Sequence, residues 1–412
     1  MNPISSSRRE PEFGFDAEVL VVGAGPVGLL LANLLGARGV RVLLVDQRET
    51  PPESSMAIGV TPPSLEILRS LDLDRVFQEA GVPVRHAEVH EARRCLGRLD
   101  FAGIGSDYPF FLSLPQAQTI AILREKLNHF PTVRLQGGVA FTGLTTERRG
   151  VRARLRNAGA AAETQVAVQF VVGADGHRSR VRAAAGLTVR ERDYPQRFIM
   201  GDFADASGLG TEARLYFSAE ASVESFPLPG GWRRWIVQTA AVPGPALAAH
   251  LTAQVARLAG HPLRPEKARF VSAFGAKRME VNHYYAGRVA LAGDAAHVMS
   301  SIGGQGMNTG FADAELLAAV LARALREPAM AAAGFAAYEK IRRRAFVVAA
   351  RRAERGMRLG TLRGRAASGL RRVFIRHVLF GVLRRRLAPH FAMLTIPYRN
   401  LNHVPPRCLP AR

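Results

Sequence analysis

The sequence predicts an α/β protein: a nucleotide-binding unit with a parallel sheet, interrupted by a smaller mixed β-sheet and followed by a helical region. Three observations predict it. Continuous apolar runs of strand length at residues 19–22, 40–45, 166–172 and 289–292 are what strands buried on both faces require, and glycine or an acid follows each. Residues 187–279 change texture to short strand-like runs rich in aromatic side chains. Beyond residue 331 the apolar residues fall at helical spacing and arginine accumulates.

Taken in order, residues 1–15 are polar, broken by Pro3 and Pro11, and read as a flexible arm. The strand at 19–22 runs into Gly23-Ala24-Gly25-Pro26-Val27-Gly28, and a helix follows over 27–37. Glycines at this spacing permit a sharp turn, close backbone approach to a pyrophosphate and tight helix-strand contact. The next strand ends at Asp46, about 20 residues on, where an acid that binds ribose belongs. Gln47 and Arg48 begin a turn-rich loop, in which Arg48 is either a phosphate contact or a solvated charge. Pro63 opens a short helix, residues 84–101 alternate as paired strands, and Gln116 starts a helix running to 129. Strands follow near 138–146 and 150–155.

The strand at 166–172 delivers Gly173, Asp175 and Gly176 to a second turn, and the strand at 289–292 delivers Gly293 and Asp294 to a third. A glycine-rich loop, Gly303-Gly304-Gln305-Gly306-Met307-Asn308, then leads into a helix over 312–325. The nucleotide unit is therefore discontinuous. Residues 16–83, 102–186 and 280–330 are assigned to it, 84–101 and 187–279 to the inserted sheet, and 331–412 to the basic helical region.

With 412 residues, 48% hydrophobic and 22% charged, the chain has the composition of a folded protein with a sizeable core. Two cysteines, Cys95 and Cys408, and no secretory signal in the first fifteen residues indicate a cytoplasmic setting without structural disulfides. The net charge of +22 points either to a solvated arginine-rich face or to contact with something acidic: a carrier protein, a membrane surface or nucleic acid. Nucleic acid is disfavoured, since no stacking platform interleaves the arginines. Residues 371–387 alternate basic clusters with apolar triplets, and burial of their apolar face against the body is preferred to peripheral membrane contact.

Three strand-end acids exceed what a nicotinamide dinucleotide needs and suit FAD, whose ribose, pyrophosphate and ribityl chain extend along a sheet edge. Asp46 then serves the adenosine ribose and Asp294 the ribityl chain, while Asp175 bridges the two ends by holding its turn through backbone N–H groups. The loop after 303 brings backbone and a helix N-terminus, with Met307 and Asn308 as donors, to the flavin pyrimidine edge, which is anionic when reduced.

On these motifs the chain resembles the single-component, class A FAD-dependent aromatic hydroxylases, the group of para-hydroxybenzoate hydroxylase. Gly23 to Gly28 with Asp46 match the group's ADP fingerprint. Gly173-Ala-Asp-Gly176 with Ser179 and Arg182 match the motif shared by FAD and NAD(P)H. Gly293-Asp-Ala-Ala-His297 through Asn308 match the ribityl and flavin motif, and Pro115-Gln116 sits where the group has a glutamine on FAD. The resemblance implies a Rossmann-like FAD-binding domain and reduction of FAD by NADPH or NADH. It also implies a C4a-hydroperoxide formed with oxygen, and hydroxylation or epoxidation of an aromatic, polyketide-like or lipophilic molecule under a roof formed by 187–279.

The chain departs from the group at two places. It reads Ser55-Met56-Ala57 where relatives place an arginine before the alanine, and Ser300-Ser301 where they place prolines. No catalytic acid or base declares itself, and Ser300, Ser301, Gly303 and Gly304 are the flavin-facing candidates; no metal site is expected. A halogenase or reductase of the same fold is the alternative enzyme, although Trp232-Arg-Arg-Trp235-Ile236 matches the halogenase signature neither in spacing nor in its proline. An FAD-containing interaction protein is the non-enzymatic alternative.

Overall fold

A computed structural model describes residues 14–51, 57–91, 94–240, 244–300, 304–362 and 364–396. The parallel core of the first sheet runs in the order Val289–Leu291, Thr164–Gly173, Ala17–Val22, Val42–Asp46, Val133–Gly137. Val19, Leu20 and Val21 are fully enclosed, which explains why these strands read as unbroken apolar runs. Helices Pro26–Gly36 and Gln305–Arg326 pack against one another beside this sheet, Leu29 to Leu31 and Phe311, Leu317 and Leu321 filling the core. An antiparallel pair, Val139–Thr146 and Val151–Asn157, attaches to the first half of Thr164–Gly173.

The strand order carries a functional consequence. Because the core strands are parallel, their C-terminal ends lie along one edge, and Asp46, Asp175 and Asp294 all stand there. Crevices at that edge are where open α/β sheets take their ligands.

The second sheet has eight strands, ordered His297–Val298, Ala268–Val281, Val189–Ala204, Trp232–Thr239, Ser222–Leu228, Ala213–Phe217, His86–Glu91, Arg94–Asp100. All its pairings are antiparallel except Ala213–Phe217 with His86–Glu91. Helix Leu247–Ala259 covers one face, with Leu251 and Val255 set against Val223, Trp235 and Val237. The other face meets the C-terminal helices. Ile375 packs with Val89 and Phe217, and Leu387 and Ala388 pack with Ala87 and Ala213. Trp235 is thus a core residue of a central strand.

Two elements differ from the sequence expectation. The helix predicted over 312–325 begins at Gln305, because Gly304 takes φ 64° and turns the chain directly into it. The strand Ala268–Val281 lacks a clean apolar alternation because most of its residues are half-buried on both faces. Pro195 interrupts Val189–Ala204 as expected of proline in a strand, and the pairing with Ala268–Val281 shifts register between Asp193 and Arg197.

Candidate functional site

The first glycine turn is closed by contacts that leave no room for side chains. A Cβ at Gly28 would lie 1.9 Å from the Gly23 carbonyl oxygen, and one at Gly23 would lie 2.4 Å from that of Ala174. Gly25 differs, since a Cβ there would meet nothing within 4 Å. Its backbone faces open space at the start of helix Pro26–Gly36, whose N-terminal N–H groups and dipole suit an anion. Val27 leaves this turn to pack between Gly293 and Gly310, where added Cβ atoms would come within 3.0 and 2.5 Å of it. The glycine turn and the flavin-motif loop are therefore locked together.

Asp46 Oδ2 accepts from the Ala24 N–H at 2.7 Å and Oδ1 from the Arg48 N–H at 2.8 Å. The carboxylate thereby holds the turn on one side and its own loop on the other. Gln47 and Arg48 are exposed beside it. Asp175 holds the second turn: Oδ2 accepts from the N–H groups of Arg180 at 2.7 Å and Val181 at 3.2 Å, and Oδ1 from the Ser179 hydroxyl at 2.5 Å. Ser179 in turn caps the short helix by accepting from the Arg182 N–H. Arg182 reaches across to the Ala295 carbonyl at 3.0 Å, so the second turn braces the third.

Asp294 stands apart from the other two acids. Its side chain opens to the crevice yet lies deep within it, and no hydrogen bond or ion pair among the described residues reaches its carboxylate. Desolvation pushes its carboxyl up from the ordinary range, partly opposed by His297 and His177. Beneath it lies a buried ionic cluster. Asp313 Oδ2 accepts from the Gly293 N–H at 3.0 Å and meets His297 Nε2 at 2.7 Å, and Oδ1 accepts from Arg342 Nε at 2.6 Å. Burial works against the Asp313 charge, but His297 and Arg342 outweigh it and hold the carboxyl well below its usual range. His297 also stacks on Phe346 at 4.8 Å and is a structural residue.

Asn308 is a fastener. Its Oδ1 accepts from the Thr61 N–H at 2.9 Å and the Ser64 hydroxyl at 2.7 Å, and its Nδ2 donates to the carbonyls of Gly59 at 3.0 Å and Gly304 at 2.8 Å. Since the helix starts at Gln305, its register commits the Asn308 N–H to the Gly304 carbonyl. The N–H groups of Gln305, Gly306 and Met307 are then the first-turn donors that point out of the helix, and Gly306, like Gly25, has nothing within 4 Å of its Cβ position. Gln116 sits at the start of helix Gln116–Lys126, its N–H bonded to the Ala57 carbonyl at 3.0 Å. Ser300 is buried and donates to Met357 Sδ at 3.5 Å. Ser301 and Gly303 lie outside the described residues, as do Ser55, Met56 and Cys408. Tyr284 and Tyr285 pack against Tyr338 and Phe335, respectively.

The family model described as "FAD binding domain" matches residues 16–353. The chain belongs to this FAD-binding family. Among its relatives are 6-methylpretetramide 4-monooxygenase of Streptomyces rimosus, 36% identical over 75% of this chain and 56% of that protein, and pentachlorophenol 4-monooxygenase of Sphingobium chlorophenolicum, 29% identical over 73% of this chain and 57% of that one. The chain thus spans somewhat more than half the length of these curated relatives. Among solved structures, p-nitrophenol 4-monooxygenase PnpA from Pseudomonas putida DLL-E4 matches with a TM-score of 0.84 at 24% identity, over 92% of this chain and 98% of that one. OxyS anhydrotetracycline hydroxylase from Streptomyces rimosus matches with 0.75 at 27% identity, over 92% and 76%.

FAD, the cofactor of this family, fits the residues present. Asp294 is an unpartnered acceptor where a polyhydroxyl chain would donate, and Gly25 and Gly306 leave backbone open at two helix N-termini where a diphosphate and an electron-rich ring edge would sit.

Proposed function

We propose that the chain is an NAD(P)H- and O2-dependent FAD monooxygenase that hydroxylates or epoxidises an aromatic, polyketide-like or lipophilic small molecule. The carrying observation is the unpartnered Asp294 beside the open start of helix Gln305–Arg326, with the second sheet adjoining both through His297–Val298. The relatives named as monooxygenases of pretetramide and chlorophenol support the substrate class.

In this reading Gly23, Gly25, Pro26, Val27 and Gly28, with Asp46, Gln47 and Arg48, hold the ADP half of FAD. Asp175 and Gly176 keep the second turn in shape, Gly293 and Asp294 take the ribityl chain, and Gln116 approaches from the side. The starting N–H groups of the helix, those of Gly306 and Met307 among them, stabilise negative charge at the pyrimidine edge, while Gly304 and Asn308 fix the loop that presents them. FAD, when bound, supplies the hydride acceptance and oxygen chemistry. The protein binds and orients the ring system and excludes water from it. Residues 16–83, 102–186 and 280–330 form the cofactor part, and 84–101 and 187–279 the substrate part.

The basic C-terminal region is the surface for a substrate delivered by an acidic carrier protein or from an anionic membrane. Among the described residues, Leu362, Leu370, Val373, Phe374, Val382 and Phe391 are exposed there beside arginines, whereas Val76 is the only other large hydrophobic residue so exposed. Salt-sensitive co-sedimentation with phosphatidylglycerol vesicles supports the membrane source; binding to an acidic acyl carrier protein supports the other. No helix among the described residues is long and apolar enough to cross a membrane.

The test of the main reading is steady-state NADPH and oxygen consumption by FAD-loaded protein with a panel of polycyclic phenols. Consumption coupled to an oxygenated product supports it. Halide-dependent product formation would support the halogenase alternative, and flavin that neither nicotinamide cofactor reduces would support a structural role for FAD.

A further inference from the structure

Glu224 lies on strand Ser222–Leu228, in the interior of the eight-stranded sheet. Cross-strand register places it in one row with Leu215, Ile236, Met200 and Ser272. The neighbouring positions Tyr216, Val223, Val237 and Ile199 pack under helix Leu247–Ala259, so Glu224 faces the opposite side. There Ile236 packs with Phe198 and Met357, and Leu215 packs in the cluster that includes Leu359. Met357 also accepts the hydrogen bond from Ser300, so this row reaches the loop that follows Asp294.

The environment of Glu224 is unusual for a carboxyl group. The residue is 8% exposed, and no hydrogen bond or ion pair among the described residues satisfies it. By contrast, the other inner-face charges are paired: Arg234 grips Asp202 through two bonds of 2.6 and 2.8 Å. The Glu224 oxygens are also not sealed in, unlike Oε1 of Gln238 on the adjacent strand, and so keep contact with the space over the sheet. Burial pushes the carboxyl up to about 7, so it holds or releases a proton near neutrality. An unsatisfied acid in an apolar row destabilises a fold unless a ligand donates to it, so its position here points to a ligand donor.

We propose that Glu224 is the acceptor for a ring hydroxyl of the substrate, and that it selects phenolic rings over their ethers. The ligand class rests on the monooxygenase reading; the acceptor role rests on the site. The substrate O–H donates to the carboxylate. When the proton crosses, the carboxyl gains it and the ring oxygen keeps the bonding pair as phenolate, which enriches the ring in electrons. Leu215 and Ile236, both half-buried on the same face, give the ring an apolar bed.

The experiment uses FAD-loaded wild type, Glu224→Gln and Glu224→Asp, with 1,8-dihydroxyanthraquinone and its dimethyl ether as probes. Binding is read from the probe's visible spectrum, and retained FAD content shows that each variant is folded. Wild type should prefer the phenol by tenfold or more on the order expected for a hydrogen bond to a charged group. Its bound-phenol spectrum should change with an inflection near neutral pH. Glu224→Gln should lose both the preference and the inflection, and Glu224→Asp should restore part of each. An unchanged phenol-to-ether ratio in Glu224→Gln, an inflection that survives it, or failure of wild type to bind either probe would overturn the proposal. Intact phenol selectivity without NADPH-driven oxygen consumption would overturn the monooxygenase reading and leave this one standing.

Discussion

Asp313 and Glu224 are both buried acids, and their surroundings drive them in opposite directions. The Asp313 carboxyl is held low by His297 and Arg342 despite burial, so its contribution to stability is present above the unfolded carboxyl value of about 4 and is lost as pH falls toward the folded value. Chemical denaturation should show stability dropping in acid, and Asp313→Asn should flatten that drop. The same substitution should cost about 3–5 kcal/mol at neutral pH, because it leaves Arg342 buried without its charge partner. Glu224, with its carboxyl raised to about 7, has the other sign: stability is full below about 4.3 and is lost as pH rises through about 7. Glu224→Gln should therefore be more stable than wild type in mildly alkaline buffer, by roughly 3–4 kcal/mol, with the difference vanishing in acid. Asp294→Asn should leave the fold intact and weaken FAD binding about tenfold to a hundredfold in a fluorescence titration.

At the scale of elements, the glycine turn separates structural from ligand-facing roles within one motif. Gly28→Ala would push a methyl into the Gly23 carbonyl and should destabilise the cofactor-free protein by about 3 kcal/mol or more. Gly25→Ala meets no atom, so its stability should stay within about 0.5 kcal/mol of wild type while FAD affinity falls. Thermal melts with and without FAD distinguish the two.

The strand-turn-helix of residues 17–36 and the three strand-end acids were legible because local sequence carries them: apolar runs, glycine spacing and an acid at the end of each run. The Asn308 fastener was not, since its partners at 59, 61 and 64 are some 245 positions away in the chain. Nor was Asp313, which inside Gln305–Arg326 has no local sign that distinguishes it from a solvated helix acid. Glu224 was missed for a related reason. A charged residue at alternate positions of a strand normally marks a solvent-facing side, but here helix Leu247–Ala259 covers one face and the C-terminal helices cover part of the other.

For the whole molecule, the two sheets meet where His297–Val298, which follows the third acid, adds to the edge of Ala268–Val281. The long helix Ala331–Gly360 reinforces that junction. Arg342 enters the Asp313 cluster near its middle, and Glu354 near its end binds Arg278 of the second sheet at 2.9 Å. Two arginines of this region are internal to the fold: Arg342, and Arg371, which donates to the carbonyls of Ser218 at 2.7 Å and Leu362 at 2.9 Å. Most of the other described arginines there, Arg384 to Arg386 among them, are exposed, so the net charge that suggested an acidic partner lies largely on the surface.

On the proposed function, this molecule couples nicotinamide oxidation to oxygenation of a ring. The decisive measurement reduces the FAD-loaded protein anaerobically with NADPH, with and without a polycyclic phenol, and then admits isotopically labelled oxygen. The phenol should accelerate flavin reduction, and one labelled oxygen atom should appear in it. Reduction at the same rate with and without phenol, followed by hydrogen peroxide and no labelled product for every phenol tried, would contradict it.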